Sequence, residues 1–233
     1  AAKMSIQGVQ PTLSLVIDVS RNAFDVVDTG GRYILKPPNP SFPSLPENED
    51  VTMKLARTAG IAVPHHGMVY AKDDSLSYFI TRFDRRDRAP FRVPVEDFAQ
   101  LSGRSRDTKY DSSIEQVIAV VNRHCTFPRV ELSSLFRRVL FSFLVGNEDM
   151  HLKNYSLISQ GRIVRLSPAY DLLNSAIVLG ADAVESALPL GGKRRGLSRR
   201  LLIDYLGADR CQLPAKEIDS VLSELHAMIQ QTS

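Results

Sequence analysis

Residues 143–159 read FLVGNEDMHLKNYSLIS. An apolar run stops at Gly146. Asn147, Glu148, Asp149, His151, Lys153 and Asn154 then follow closely, and the chain turns apolar again. Charged and amide groups between two buried segments need partners or a purpose, because an unpaired carboxylate is costly to remove from water. The stretch upstream, 131–145, carries Leu132, Leu135, Phe136, Val139, Leu140, Phe143 and Leu144 at helical spacing, the strongest apolar face in the chain. Downstream, YSLIS and RIVRLS read as a hairpin around Gln160-Gly161. The polar cluster is therefore expected on a loop between a buried helix and a strand.

Asp149 and Asn154 stand in the Asp-x4-Asn spacing of a protein-kinase catalytic loop. The chemistry accounts for that spacing. A carboxylate orients or accepts the proton of an attacking hydroxyl, and an amide oxygen a few residues on ligates Mg²⁺ at about 2.1 Å. Asp171, at the end of Ser167-Pro168-Ala169-Tyr170-Asp171, is the natural second ligand. A metal there would neutralise charge developing on phosphate oxygens. The spacing alone is weak, and a plain turn aspartate explains Asp149 about equally well. His151 reads as a packed loop histidine, a phosphate contact or an orienter of Asp149. Lys153 reads as solvated or as a partner of a γ-phosphate.

The N-terminal part is sheet-rich. Residues 12–19, 23–27 and 32–36 are expected as a small antiparallel meander, with Asp28-Thr29-Gly30-Gly31 as a hairpin turn. Residues 37–46, PPNPSFPSLP, hold five prolines and must be a loop. Residues 47–59 are expected as a helix with acids in its first turn and Gly60 as its stop. Strands over 66–71 and 76–83 follow. Lys36 ends a strand, and Glu49 is its best helix partner; a lone strand lysine is more often a solvated edge residue. Gly8 is a candidate for close backbone approach to phosphate. Gly191-Gly192-Lys193 has neither the spacing nor the preceding strand of a Walker loop. Beyond residue 84 the chain is helix-rich, with further helices over 112–124 and 215–229. The lobe boundary is expected near 84–90, giving 1–83 as the N-lobe and 84–233 as the C-lobe.

Composition sets outer limits. The 233 residues suffice for two lobes with a sizeable core. Net charge is +3, so a polyanionic partner is permitted but not required. Cys125 and Cys211 form no CxxC, which favours a reducing, cytoplasmic compartment over a disulfide framework or zinc knuckle. No window is long and apolar enough for a transmembrane helix, so no direct membrane partner is expected. Arg85, Arg86 and Arg88, and the run Lys193, Arg194, Arg195, Arg199 and Arg200, read as solvated surface or as a docking face.

Taken together, SIQGVQP (5–11), YILKPP (33–38), NE (48–49), RFDR (82–85), GNEDMHLKN (146–154), SPAYDLL (167–173) and LPLGGK (188–193) resemble the HipA family of bacterial toxin kinases. The likeness runs from residue 4 to about 230, and in size the chain is similar to the short HipT type. The resemblance implies an α+β, two-lobed protein-kinase-like fold related to PI3/4-kinases, with a sheet-rich N-lobe and a helical C-lobe. It implies an ATP- and Mg²⁺-dependent serine/threonine kinase, the toxin of a toxin–antitoxin system. The expected substrate class is an aminoacyl-tRNA synthetase. Cognate antitoxins are expected partners, including a separate N-subdomain protein and a DNA-binding protein, so that nucleic acid is met only indirectly. On that reading Asp149 is catalytic, and Asn154 and Asp171 hold the metal. Lys36, Thr81, Phe83, Asp84, Gln100, His151, Tyr170 and Gly8 surround the nucleotide, and Ser5 is the autophosphorylated loop serine. A phosphoserine there would add nearly two negative charges beside the ATP phosphates and switch the kinase off. Thr12 departs from the pattern, standing where HipA itself has a second nucleotide-contacting lysine. A small-molecule phosphotransferase and a catalytically silent antitoxin or scaffold are the competing readings.

Overall fold

The computed structural model describes residues 11–42, 44–86, 91–180 and 184–231. A five-stranded antiparallel sheet forms first. It comprises β1 (Leu13–Asp18), β2 (Ala23–Val26), β3 (Tyr33–Lys36), β4 (His66–Tyr70) and β5 (Leu76–Thr81), in the order β2-β1-β3-β5-β4. The expected meander is corrected here: β3 pairs with β1, not with β2. Asp28–Gly31 is therefore not a hairpin turn but a crossing from one side of β1 to the other. Val27 N–H donates to Ser14 O and Arg32 N–H to Leu15 O, each at 2.8 Å, so the crossing brackets β1. Gly31 is required at that point, since a Cβ would stand 2.8 Å from the Leu15 amide nitrogen.

Helix α1 (Leu45–Thr58) packs on β4 and β5. Pro46 sits in its first turn, where the missing N–H is no loss. Met53 and Ala56 face the core, and Glu49 and Asp50 are buried as well. Lys36 at the end of β3 is paired through register with Tyr78 of β5. Sheet and helix thus deliver Lys36 and Glu49 to each other.

A second sheet, ordered β6-β7-β8, comprises β6 (Val95–Asp97), β7 (Ser156–Gln160) and β8 (Ile163–Leu166). The predicted hairpin is β7–β8, and β6 is a third strand absent from the sequence reading. A short helix α2 (Phe98–Leu101) continues from β6. Its capping box joins Asp97 and Gln100 reciprocally. Helices α3 (Ile114–His124) and α4 (Pro128–Leu144) pack on each other, followed by the short α5 (Ser175–Leu179) and by α6 (Ala215–Gln231). Leu201–Arg210 winds as a π-helix, also unpredicted, and Cys211 N–H reaches Leu206 O at its end. One continuous core joins Met53, Tyr78 and Ile80 to Phe98, Val117, Phe136, Leu172 and Leu206.

Helix α4 ends as the sequence predicts. Val145 and Gly146 close its last turn, and Gly146 takes φ +65°. A Cβ there would stand 2.9 Å from Ala176 Cβ. The helix therefore stops where the polar loop must begin. Both cysteines are free and buried, and burial pushes each thiol up to about 12.

Candidate active site

A cleft of about 380 Å³ opens between the two sheets. Its wall carries Lys36, Thr81, Phe83, Asp84, Gln100, Tyr170 and Asp171, all of them candidates from the sequence. Arg82, Asp97, Lys153 and Ser156 line it too. Gly8 and Ser5 lie outside the described residues.

Lys36 is buried, and its Nζ donates to Glu49 Oε1 at 2.7 Å and Oε2 at 2.8 Å. The same Nζ donates to Asp171 Oδ1 at 2.5 Å. Burial disfavours the ammonium, but Asp171 and Glu49 outweigh it, so the Lys36 pKa is raised and the group stays charged. Burial likewise pushes the Glu49 carboxyl up, against the pull of Lys36. An edge-strand reading of Lys36 is thereby excluded. Asp171 has φ +55°, a conformation that costs a non-glycine residue of order 1 kcal/mol and that concentrates at functional sites. The segment on either side of it is bonded to the rest of the fold. Asn48 Nδ2 donates to Asn174 O at 3.0 Å, and Asn174 N–H donates to Asn48 Oδ1 at 2.7 Å. Ala169 N–H donates to Ala62 O at 2.7 Å. Arg138, buried on α4, also donates to Ser167 O at the start of the segment.

The 147–154 loop is buried almost throughout: Asn147 and Glu148 are 1% exposed, Asp149 2%, His151 4% and Asn154 4%. Asn147 Oδ1 accepts from Asp149 N–H at 3.2 Å, and Glu148 N–H donates to Ser175 Oγ at 2.7 Å. Asn154 Nδ2 donates to Asp149 O at 2.8 Å. Tyr110 Oη donates to Asp149 Oδ1 at 2.5 Å. Its ring meets His151 edge-on, with centroids 5.1 Å apart. His151 is held down at about 4 by burial, opposed by Asp149 and, more weakly, Asp171; its imidazole is neutral. Its Nδ1 is buried and meets no hydrogen-bond partner among the described residues.

The far wall is aromatic. Phe83 and Tyr170 stack with centroids 5.5 Å apart. Tyr170 Oη donates to Lys153 O at 2.9 Å and also shares a hydrogen bond with Ser156 Oγ. Asp84 is bound by Arg82 at 2.9 Å and by Arg85. Those arginines hold its carboxyl below the ordinary range, although burial pushes the other way. Arg85 is therefore committed to an ion pair and is not open surface. Lys153 is exposed, and its Nζ lies 3.3 Å from Asp97 Oδ2.

Among the described residues no cluster of three or more His, Cys, Asp or Glu side chains gathers around one point. The oxygen donors expected from the sequence are the Asn154 amide and the Asp171 carboxylate, and here Asp171 Oδ1 accepts from Lys36. Such a hard, sparse oxygen set fits Mg²⁺, which takes one or two protein ligands and completes its shell with phosphate and water. Sequence reasoning missed Tyr110, Arg82, Asp97 and Ser156. Only Asp97 carried a local signal, as the first residue of a capping box.

The sequence model of the HipA-like C-terminal domain matches residues 4–232. A "Putative kinase" of Haemophilus influenzae is 34% identical over 182 residues, which are 73% of this chain and 52% of that protein. The "Putative kinase Y4dM" of Sinorhizobium fredii is 35% identical over 190 residues, 75% and 46% of the two chains. The serine/threonine-protein kinase toxin HipA of Shewanella oneidensis is 27% identical over 192 residues, 74% of this chain and 43% of the toxin. The chain spans about half the length of the curated relatives it matches. In structure it is similar to Shewanella oneidensis HipA, solved with HipB and operator DNA, with a TM-score of 0.80 at 24% identity over 98% of this chain and 57% of that one. The Helicobacter pylori proinflammatory kinase CtkA gives a TM-score of 0.55 at 15% identity, with 85% of each chain covered. The fold is accordingly the mixed α/β kinase-like fold of these proteins.

Proposed function

The chain belongs to the HipA-like C-terminal domain family, and on that premise we propose that it is an ATP- and Mg²⁺-dependent serine/threonine protein kinase. The observation that carries this reading is the buried lysine bridging Glu49 and Asp171 on the wall of the cleft. A lysine on strand β3 paired with a helix glutamate is the arrangement that presents an ammonium to nucleotide phosphates.

The chain's own residues divide the task. Residues 1–83 and 84–233 act as two lobes, and adenine enters between Thr81–Phe83 and Tyr170, with Asp84 and Gln100 toward the ribose side. Lys36 donates to phosphate oxygens. Glu49 keeps the Lys36 ammonium extended from the sheet. Asn154 and Asp171 would hold Mg²⁺, which when bound would neutralise charge on the phosphates. Asp149 takes the proton of the acceptor hydroxyl, and neutral His151 offers a ring nitrogen to the phosphate side. The buried loop is preorganised, so little rearrangement accompanies reaction.

The protein acceptor we infer is an aminoacyl-tRNA synthetase, with the chain acting as the toxin of a toxin–antitoxin pair. The Shewanella relative's solution in complex with HipB and operator DNA supports antitoxin and DNA-binding partners. A further partner would be a separate N-subdomain protein. The half-exposed Phe24, Tyr33 and Phe79, which pack together at 5.2–6.3 Å on one face of the sheet, offer it an apolar surface. Purified chain, Mg²⁺ and γ-labelled ATP, offered bacterial aminoacyl-tRNA synthetases and read by intact mass, test the reading. A gain of one phosphate on a synthetase is expected. Label appearing only on small hydroxyl compounds would replace it with a small-molecule phosphotransferase. Mass spectrometry after Mg-ATP alone tests autophosphorylation at Ser5.

A further inference from the structure

The segment 109–115 has no role in the reading above, yet it touches the centre of the site. Tyr110 Oη donates to Asp149 Oδ1 at 2.5 Å, and its ring packs edge-on against His151. The segment is clamped on both sides. On the catalytic-loop side, Leu152 N–H donates to Lys109 O at 3.2 Å. On the other side it is held by the 184–197 loop, where Arg194 donates to Tyr110 O at 3.1 Å and Gly191 N–H donates to Glu115 Oε1 at 2.8 Å. Ile114 N–H donates to Pro189 O at 3.0 Å. Tyr205 Oη donates to the same Glu115 oxygen at 3.1 Å. A phenol carried on a segment held by this many independent contacts is a fixed donor, not a side chain resting on a surface.

A carboxylate that must accept a proton in one direction gains from having one oxygen immobilised. Rotation about the Cβ–Cγ bond would otherwise present either oxygen at varied angles, and misplacement by about 1 Å can cost on the order of 10²-fold in rate. We propose that Tyr110 is a positioning residue for phosphoryl transfer. Its phenol pins Oδ1 of Asp149, so that Oδ2 meets the acceptor hydroxyl, and the 184–197 loop is the frame that holds Tyr110 in place. In the step itself the acceptor oxygen forms a bond to the γ-phosphorus and the bond from that phosphorus to the β,γ-bridging oxygen breaks. The acceptor's proton passes to Oδ2, ADP leaves, and the phenol proton stays on Tyr110. The inference rests on the kinase reading.

Tyr110→Phe removes the donor and keeps the ring against His151. Steady-state kinetics should show kcat lowered about 10- to 100-fold, with KM for ATP and the thermal midpoint unchanged. An unchanged kcat overturns the proposal. So does a loss of kcat accompanied by a lower midpoint, which is a packing role. A raised kcat also overturns it, because Tyr110 would then be obstructing the acceptor's place. A second measurement needs no turnover. With 3-fluorotyrosine in place of Tyr110, the ¹⁹F resonance should shift on Asp149→Asn and stay put on Lys193→Ala; no shift on Asp149→Asn sinks the contact itself. Wild-type chain that transfers no phosphate at all would fail the kinase reading, and the ¹⁹F comparison would still decide whether the phenol holds Asp149.

Discussion

Two stretches of this chain look alike in composition and behave in opposite ways. Residues 147–154 and 193–200 are each dense in charge, and each follows a glycine or a pair of them. In the first, only Lys153 among the ionisable and amide side chains is exposed, and the rest are buried. In the second, Lys193, Arg195, Arg199 and Arg200 are exposed, and Arg194 alone is half-buried, on the Tyr110 carbonyl. Buried flanks do not make the difference, since Leu188 and Leu190 before the second stretch and Leu202 after it lie in the core as well. The difference lies in where the charged groups themselves go: Asp149 accepts from Tyr110 and Glu148 from Val184 inside the fold, whereas most of the basic run points to water. Charge density marks a site when the charged groups themselves are buried against partners; otherwise it marks solvated surface.

The largest effect that tests this contrast comes from Lys36→Ala, which leaves Glu49 buried without its counter-ion. A loss of about 3–5 kcal/mol of stability is expected, read by urea denaturation, together with loss of phosphoryl transfer. Stability unchanged would show that the pair is wet and the cleft differently built. Asp149→Ala should lower transfer by about 10²–10⁴-fold while circular dichroism stays native; a fully active variant removes Asp149 from the reaction.

His151 gives an effect of similar size through pH. Burial holds its folded pKa at about 4, below the ordinary 6.5, so the unfolded chain binds the proton more readily. Stability from this group is complete above pH 6.5 and is lost as pH falls toward 4, by up to about 3 kcal/mol. The difference in unfolding free energy between wild type and His151→Gln, followed from pH 7 to 4, should show that slope, and other titrating groups cancel in the subtraction. Parallel curves would mean that His151 is hydrated. At the small end, Arg199→Ala and Arg200→Ala should each change stability by less than about 0.5 kcal/mol, measured the same way. A larger loss would break the contrast between the two stretches.

Much of the site was legible because it is local. Lys36 at a strand end, Glu49 one turn into a helix and the Asp149–Asn154 spacing are each short-range patterns; the structure puts Lys36 on the cleft wall with Glu49 buried behind it, and leaves Asp149 and Asn154 buried in the loop beside the cleft rather than on its lining. Ser156 was not legible, since its own segment carries no signal for it, and Arg82, although it opens the RFDR stretch, was given no role there. Tyr110 is separated from Asp149 by helices α3 and α4, and nothing in KYDSS announces the contact. The sheet order failed for a related reason. The alternation of β1, β2 and β3 predicts strands but says nothing about which edge of β1 receives β3. That choice lies in the Gly31 crossing, where backbone passes against backbone. The π-helix over Leu201–Arg210 lacks the one-sided apolar stripe on which a periodicity reading depends.

By itself the sequence determined the longer strands and helices, the end of α4 at Gly146 and about half of the residues lining the cleft, because periodicity, capping and turn chemistry act over a few residues. The tertiary structure decided which strand lies beside which, that Lys36 is doubly paired in the interior, and that a distant phenol reaches Asp149. These depend on side chains far apart in the chain meeting in a packed, water-poor space, where each polar group takes whatever partner the fold brings within reach.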